Sequence, residues 1–225
     1  LQGRKESRLR TLCDRFQVPQ WTTDRAAVLA DDSIEAVVVA LPHPMHVPVG
    51  LEVLAAGKHL LMQKPLSGNL EEADAFVTAV ERTDRTVMVL PHFPPEVYQT
   101  RDMLTAGKLG RVSGAHARTS HGGPEVYYQE VLDGFGEPPG DLWFFDARQA
   151  EVGALFDMGV YATSFLVAIL GSVASVSGEC GTLAKPTELE DTATLLLRFA
   201  EGPLATAETG WCDPAGSWMF GVHST

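Results

Sequence analysis

Residues Ile34–Leu41 read IEAVVVAL, a short, almost wholly apolar and β-branched run. Such a run predicts a strand buried on both faces, as in a parallel sheet. The flanking sequence extends the same pattern. Pro42, Pro44 and Pro48 punctuate a turn into a helix that reaches Ala56, and Gly57 is its natural stop. His59–Gln63 (HLLMQ) predicts the next strand, closed by Lys64-Pro65. Asn69 is placed to cap a helix, with Glu72 three residues on. That helix carries Leu70, Ala73, Phe76, Val77 and Val80 on one stripe. Thr86–Leu90 (TVMVL) predicts a third strand. Upstream, Arg4–Phe16 predicts a helix with Leu9, Leu12 and Phe16 as apolar positions. Strand, helix, strand, helix, strand at this spacing means right-handed βαβ units and a parallel sheet, an α/β domain over residues 1–92.

After Pro91 the pattern changes. Pro95–Ala106 predicts a helix ending at Gly107, and Arg111–Thr119 a strand. Residues 120–150 hold five Gly, three Pro and the aromatics Tyr127, Tyr128, Phe135, Trp143, Phe144 and Phe145. They are expected to form a long functional loop, the rings at 143–145 belonging to the core. Gly153–Leu170 predicts one apolar helix closed by Gly171. Asp191–Ala200 and Leu204–Trp211 predict two strands about a Glu201-Gly202-Pro203 turn. Residues 93–225 are therefore expected to form an α+β domain with a mostly antiparallel sheet.

Composition excludes several classes. The 17 basic and 29 acidic residues give a net charge of −12, unsuited to phosphate backbones or to an anionic membrane surface. Cys13, Cys180 and Cys212 are scattered, with no CxxC or CxxH spacing. Neither a disulfide framework nor a zinc site is expected, and reduced thiols point to the cytoplasm. The longest apolar stretch, Gly159–Leu170, is too short to span a bilayer.

In an open parallel sheet, ligands bind beyond the carboxyl ends of the strands. Two such ends carry distinctive residues, Leu41-Pro42-His43-Pro44-Met45-His46 and Gln63-Lys64-Pro65. A Lys at a strand end, fixed by a following Pro, is placed for proton transfer, because burial lowers an ammonium's pKa. It can equally be a solvated cap of the strand. His46 can touch a ligand or cap a helix. Asp157 and Tyr161 stand four apart, which on one helix gives them a common face where carboxylate and phenol orient a substrate hydroxyl. The alternative is a core Tyr beside a helix-end Asp.

The segment DSIEAVVVALPHPMHVPVGLEVLAAGKHLLMQKPLSGNLEEADAF resembles the central part of the Gfo/Idh/MocA oxidoreductases, with their apolar strand, TPxxxH, helix, AGKH and EKP. AGKLGRV, EVGALFDMGVYATSFLVAILG and DTATLLLRFAEGPLATAETGW resemble later segments of that family, in the right order and over nearly the whole chain. The resemblance implies a Rossmann domain, then an α+β domain whose open sheet serves homo-oligomers. It implies hydride transfer between a nicotinamide cofactor and a carbinol or carbonyl of a small-molecule sugar, polyol or diol. Lys64 matches the catalytic Lys, Asp157 the helix Asp near the substrate, and Tyr161 a position where many members have His. The expected roles are proton exchange at the reacting oxygen for Lys64, a hydrogen bond to the same oxygen for Tyr161, and orientation for Asp157. Pro42, His46 and Gln63 match positions lining the nicotinamide–ribose side.

Departures from the family pattern are as telling. Gln63 replaces the Glu of EKP, Leu90-Pro91-His92 stands where members often have Asn-x-Arg, and Glu151-Val152 interrupts a triple glycine. No GxGxxG occurs in the chain, which reads as an internal fragment whose pyrophosphate-binding turn lies upstream. Counting back from Phe16-Gln17-Val18, the ribose-selecting acidic position falls at about Gly3, followed by Arg4 and Lys5. Arg4 can grip a 2′-phosphate, which favours NADP over NAD. Two other readings are open: a non-catalytic sensor that retains the fold, and an NAD-dependent glycoside hydrolase.

Overall fold

The computed structural model describes residues 1–136 and 143–225. Its residues fall into two compact units. The first unit runs through α1 (Glu6–Phe16), α2 (Arg25–Ala30), β1 (Ala36–Val39), a 3₁₀ turn (His43–Met45), α3 (His46–Ala55), β2 (His59–Met62), α4 (Leu70–Glu81) and β3 (Val87–Val89). The strands pair in parallel in the order β1-β2-β3, with Val38 beside Leu61 and Leu61 beside Met88. Val39, Val53, Met62 and Phe76 form the centre of its core. Burying a ring the size of Phe76 contributes roughly 1.5–3 kcal/mol.

Local chemistry sets these boundaries. The Asn69 side chain accepts N–H groups of Glu71 and Glu72 at the start of α4. The reciprocal bond passes through Ser67, whose hydroxyl donates to Glu72 Oε2 and accepts from Asn69 N–H. Gly57 takes the left-handed conformation after α3, with φ +70°. The ammonium of Lys58 is buried and donates to the carbonyls of Asp31 and Ile34, fixing the approach to β1.

Three expectations are corrected in this unit. β1 is not buried on both faces: Val39 is buried, but Val38, on the opposite face, is 67% exposed. A groove of about 640 Å³ opens here, lined also by Leu1, Gln2, Trp21 and Thr22, with Gln2 and Thr22 joined by a parallel bridge. In α4 only Phe76 is buried, while Leu70 and Val77 are exposed. The first helix starts at Glu6 rather than Arg4 and buries Leu9 and Cys13, leaving Phe16 exposed.

The second unit starts at Leu90. It comprises α5 (Pro95–Thr105), β4 (Val112–Ser120), the start of α6 (Glu125–Phe135), a 3₁₀ turn (Trp143–Phe145), α7 (Ala147–Ala150), α8 (Ala154–Asp157), α9 (Gly159–Leu170), β5 (Val173–Gly181), β6 (Thr192–Phe199), β7 (Leu204–Gly210) and β8 (Ser217–Ser224). From Tyr127 onward α6 groups with the first unit, where Arg8 lies over the Phe135 ring. The sheet order is β5-β6-β7-β4-β8, antiparallel except for the β4–β7 pair. One face packs on α5 and α9 through Val97, Phe165, Leu166, Leu197 and Phe199.

The expected 120–150 loop is instead largely helical; its part at 137–142 lies outside the described residues. The single helix expected over Gly153–Leu170 is broken at Met158, and the helical segments on either side meet at 41°. Tertiary contacts cause the break. The Thr119 hydroxyl donates to the Met158 carbonyl at 2.7 Å, and Gly159 sits so close to β7 that a Cβ would lie 3.0 Å from Thr209 Cγ2. Strands β5 and β8 were not anticipated. Among the described residues no single helix is long and apolar enough to cross a membrane.

Candidate active site

At the carboxyl ends of β1 and β2 the structure gathers Pro42, His46, Gln63 and Lys64. Gln63 N–H donates to Val39 O, carrying the parallel ladder one step past β2. The Gln63 side-chain oxygen accepts the Lys64 N–H at 3.1 Å. His46 is fully buried, with Nδ1 2.7 Å from Pro65 O and Nε2 2.8 Å from Leu41 O. Its ring ties the two strand ends together and so fixes the backbone on either side of Lys64, whose side chain is half-buried beside the cis Lys64–Pro65 bond. Pro42 precedes the 3₁₀ turn. Arg4 is not part of this group: it is exposed, between the Gln2–Thr22 bridge and α1.

Asp157 and Tyr161 lie in the second unit. Because of the break at Met158 they are not successive turns of one helix: Asp157 ends α8, while Tyr161 is in the first turn of α9. Asp157 is 3% exposed, and its Oδ2 accepts the Trp211 Nε1–H at 2.9 Å. His121 Nε2 lies 3.9 Å from the same oxygen. Trp211 is fully buried against Ala154, Met158, Phe144 and Phe145, so the rings at 144–145 do pack in a core. The Tyr161 ring meets Trp218 edge to face at 4.7 Å. Burial, and then the Asp157 charge, push the Tyr161 phenol above its usual pKa. It therefore remains a hydrogen-bond donor through neutral pH.

The loop between β5 and β6 braces this region. The carbonyl and side chain of Glu190 accept the N–H groups of Ala154 and Leu155 at the start of α8. A Cβ on Gly153 would run into the Glu190 carbonyl. This is why Gly153 stands although Glu151-Val152 interrupts the glycine run. Asp191 is fully buried, and its carboxylate accepts backbone N–H groups of Leu183, Ala184 and Lys185 at 2.7–3.0 Å. Burial alone pushes this carboxyl up, but the bonds from Ala184, Lys185 and Leu183 and from the Thr192 hydroxyl outweigh it and hold the pKa at about 2. Trp211, His121, Glu190 and Asp191 all escaped the sequence reading. Trp211, His121 and Glu190 pair over long range, and Asp191 binds a loop only one to eight positions away that has no periodic pattern to signal it. Among the described residues no group of three or more His, Cys, Asp or Glu forms a metal centre.

The chain thus combines a unit built on a parallel sheet, with Lys64 at a strand's carboxyl end, and a unit built on a mostly antiparallel sheet. Residues 97–225 match the GFO/IDH/MocA C-terminal domain, and residues 1–90 match the oxidoreductase family with NAD-binding Rossmann fold. The chain belongs to the Gfo/Idh/MocA family. It is 30% identical over 165 residues to an uncharacterized oxidoreductase, ORF334, of Rhizobium meliloti, covering 71% of this chain and 44% of that protein. It is 25% identical over 202 residues to trans-1,2-dihydrobenzene-1,2-diol dehydrogenase of Mus musculus, covering 89% and 56%. Levoglucosan dehydrogenase in complex with NADH has the same fold, with a TM-score of 0.82 at 20% identity over 100% of this chain and 61% of that one. The chain thus spans about half the length of the curated relatives it matches.

Proposed function

We propose that the protein is a nicotinamide-dependent dehydrogenase or reductase that interconverts a carbinol and a carbonyl on a sugar, polyol or related diol. The observation that carries this is Lys64, set at the carboxyl end of β2 between two backbone segments that the buried His46 ring holds in place. Such a rigid mount suits general acid–base work, which contributes roughly 10²–10⁴-fold. Relatives named for diol and levoglucosan oxidation support the substrate class.

The strand ends fit the nicotinamide–ribose portion of a dinucleotide, because Pro42, Gln63 and Lys64 cluster where ligands meet an open parallel sheet. When bound, the nicotinamide would supply the two-electron redox chemistry. Lys64 Nζ exchanges the proton at the substrate oxygen. The Tyr161 hydroxyl donates a hydrogen bond to substrate, and Asp157 orients the hydroxyl groups. Arg4, exposed and followed by Lys5, receives a 2′-phosphate, and NADP is preferred. The outward face of the second unit's sheet, where Leu196, Leu204 and Met219 are exposed, is proposed as a self-association surface. A cytoplasmic setting goes with the scattered thiols.

The experiment uses protein expressed from the complete coding sequence. Nicotinamide absorbance is followed with NAD⁺ and NADP⁺ against levoglucosan, D-xylose, scyllo-inositol and trans-1,2-dihydrobenzene-1,2-diol. Turnover of at least one carbinol, lost in Lys64→Ala, is expected. Turnover unaffected by Lys64→Ala rejects the role of Lys64.

A further inference from the structure

His121 directly follows β4, and its backbone is tied on both sides. Its N–H donates to Gly210 O at the end of β7, and its carbonyl accepts from Asp213 N–H. The side chain is 17% exposed. Gly123 N–H donates to Nδ1 at 2.8 Å. A ring nitrogen that accepts a hydrogen bond carries no proton, so the neutral ring bears its proton on Nε2. Nε2 faces Asp157 Oδ2 at 3.9 Å, the oxygen that also takes the Trp211 indole N–H. Two N–H groups, one from the end of β4 and one from the end of β7, therefore converge on one buried carboxylate oxygen. The longer contact is an electrostatic one rather than a hydrogen bond, and in a site this dry it is weakly screened.

The turn that aims the ring is itself built. Gly123 has φ +110°, a backbone conformation that favours glycine. Lys185 Nζ donates to Gly122 O at 2.6 Å and to Glu125 Oε1 at 2.9 Å, clamping the turn. Lys185 is anchored in turn by its own N–H on Asp191. The Nε2–H direction is thus set by a chain of fixed contacts rather than by rotamer choice.

On the dehydrogenase reading given above, we propose that His121 is a positioning residue for the reaction. Its Nε2–H, with Trp211 Nε1–H, fixes one carboxylate oxygen of Asp157, so that Asp157 meets the substrate hydroxyl as a pre-oriented acceptor. No proton leaves His121 in this role.

Two variants separate the ring nitrogens. His121→Gln keeps an N–H near the Nε2 position and drops the Nδ1 acceptor. His121→Asn keeps an acceptor near Nδ1 and drops the donor toward Asp157. With levoglucosan and NAD⁺, or whichever carbinol of the panel turns over fastest, His121→Gln is expected to keep kcat within about threefold. His121→Asn is expected to lose about 10–100-fold in kcat, with KM moving less. An Asn variant as active as wild type, or more active than the Gln variant, overturns the proposal, since the Gly123 turn alone would then matter. A second measurement needs no turnover. In ¹⁵N NMR of the histidine rings, the His121 Nε2–H resonance is expected to move in Asp157→Asn and to stay in Glu125→Gln. A resonance blind to Asp157→Asn overturns the proposal. An enzyme inactive on the whole panel counts against the dehydrogenase reading, and the ring spectra then decide His121.

Discussion

Replacing Asp191 by Asn tests how the second unit holds its site together. The carboxylate is fully buried and meets three backbone N–H groups and one hydroxyl. Its pKa of about 2 lies below the ordinary carboxylate value of 3.8. At 1.36 kcal/mol per unit, that gap corresponds to about 2 kcal/mol of stability at neutral pH. The folded-state pKa is depressed, so this contribution is present above about pH 4 and is lost as pH falls toward 2. An Asn keeps one accepting oxygen but turns its NH₂ toward groups that are themselves donors, which forfeits the charge-assisted part. Urea unfolding followed by tryptophan fluorescence reports on this unit, which holds Trp143, Trp211 and Trp218 of the four Trp. Asp191→Asn is expected to be less stable than wild type by about 2 kcal/mol at pH 6.5, with the difference shrinking steadily below pH 4. A deficit that is independent of pH, or under about 0.5 kcal/mol at pH 6.5, would refute the assignment of Asp191 as the charged anchor of the 182–190 loop.

Gly153→Ala sets a methyl group against the Glu190 carbonyl and is expected to destabilise the second unit by about 1–3 kcal/mol, read as a lowered Tm. In an active full-length enzyme, Tyr161→Phe is expected to cost less kcat than Lys64→Ala, because it removes one hydrogen bond and leaves the proton-transferring group; equal losses contradict this. Arg4→Ala is expected to narrow the ratio of kcat/KM for NADP⁺ over NAD⁺, and an unchanged ratio rejects Arg4 as the phosphate contact. Leu196→Glu, on the outward sheet face, is expected to lower the oligomeric state in sedimentation velocity without changing the far-UV circular dichroism.

The parallel unit was legible because its strands are continuous apolar runs and its turns carry Pro, Gly and Asn at fixed offsets. Asn69 and Gly57 act locally, and local signals survive in a sequence. The exposure of Val38 is not legible because residue types do not show whether both sheet faces are covered: Val38, Leu61 and Met88 share one face, on which Val38 and Met88 are exposed. β5 (VASVSGECG) was invisible because eight of its nine residues are exposed and it shows no alternation of apolar and polar positions. The break at Met158 arises from Thr119 and Thr209, dozens of residues away, acting on a stretch whose composition is helical throughout. At the candidate site, Lys64 stands out at a strand's carboxyl end before Pro65, and Asp157 and Tyr161 as two polar residues spaced by four in an apolar stretch. Trp211 and His121 did not, because their significance lies in pairings across 54 and 36 positions (211 − 157 and 157 − 121).

The place of β4 between β7 and β8 has a consequence for biosynthesis. Its neighbours are β7 and β8, both later in the sequence, and 83 residues (121–203) separate Ser120 from Leu204. On the ribosome, at about 5–20 residues per second, β4 therefore waits about 4–17 s before either neighbour is made. β5 and β6 can pair with each other in the meantime, while β4 stays unjoined until β7 follows. During that interval both edges of β4 offer unpaired N–H and C=O groups to any extended chain nearby. The polar and charged His116, Arg118 and Thr119 within β4 break up what would otherwise be a uniformly sticky ribbon, which suits a strand that must remain soluble until its partners arrive.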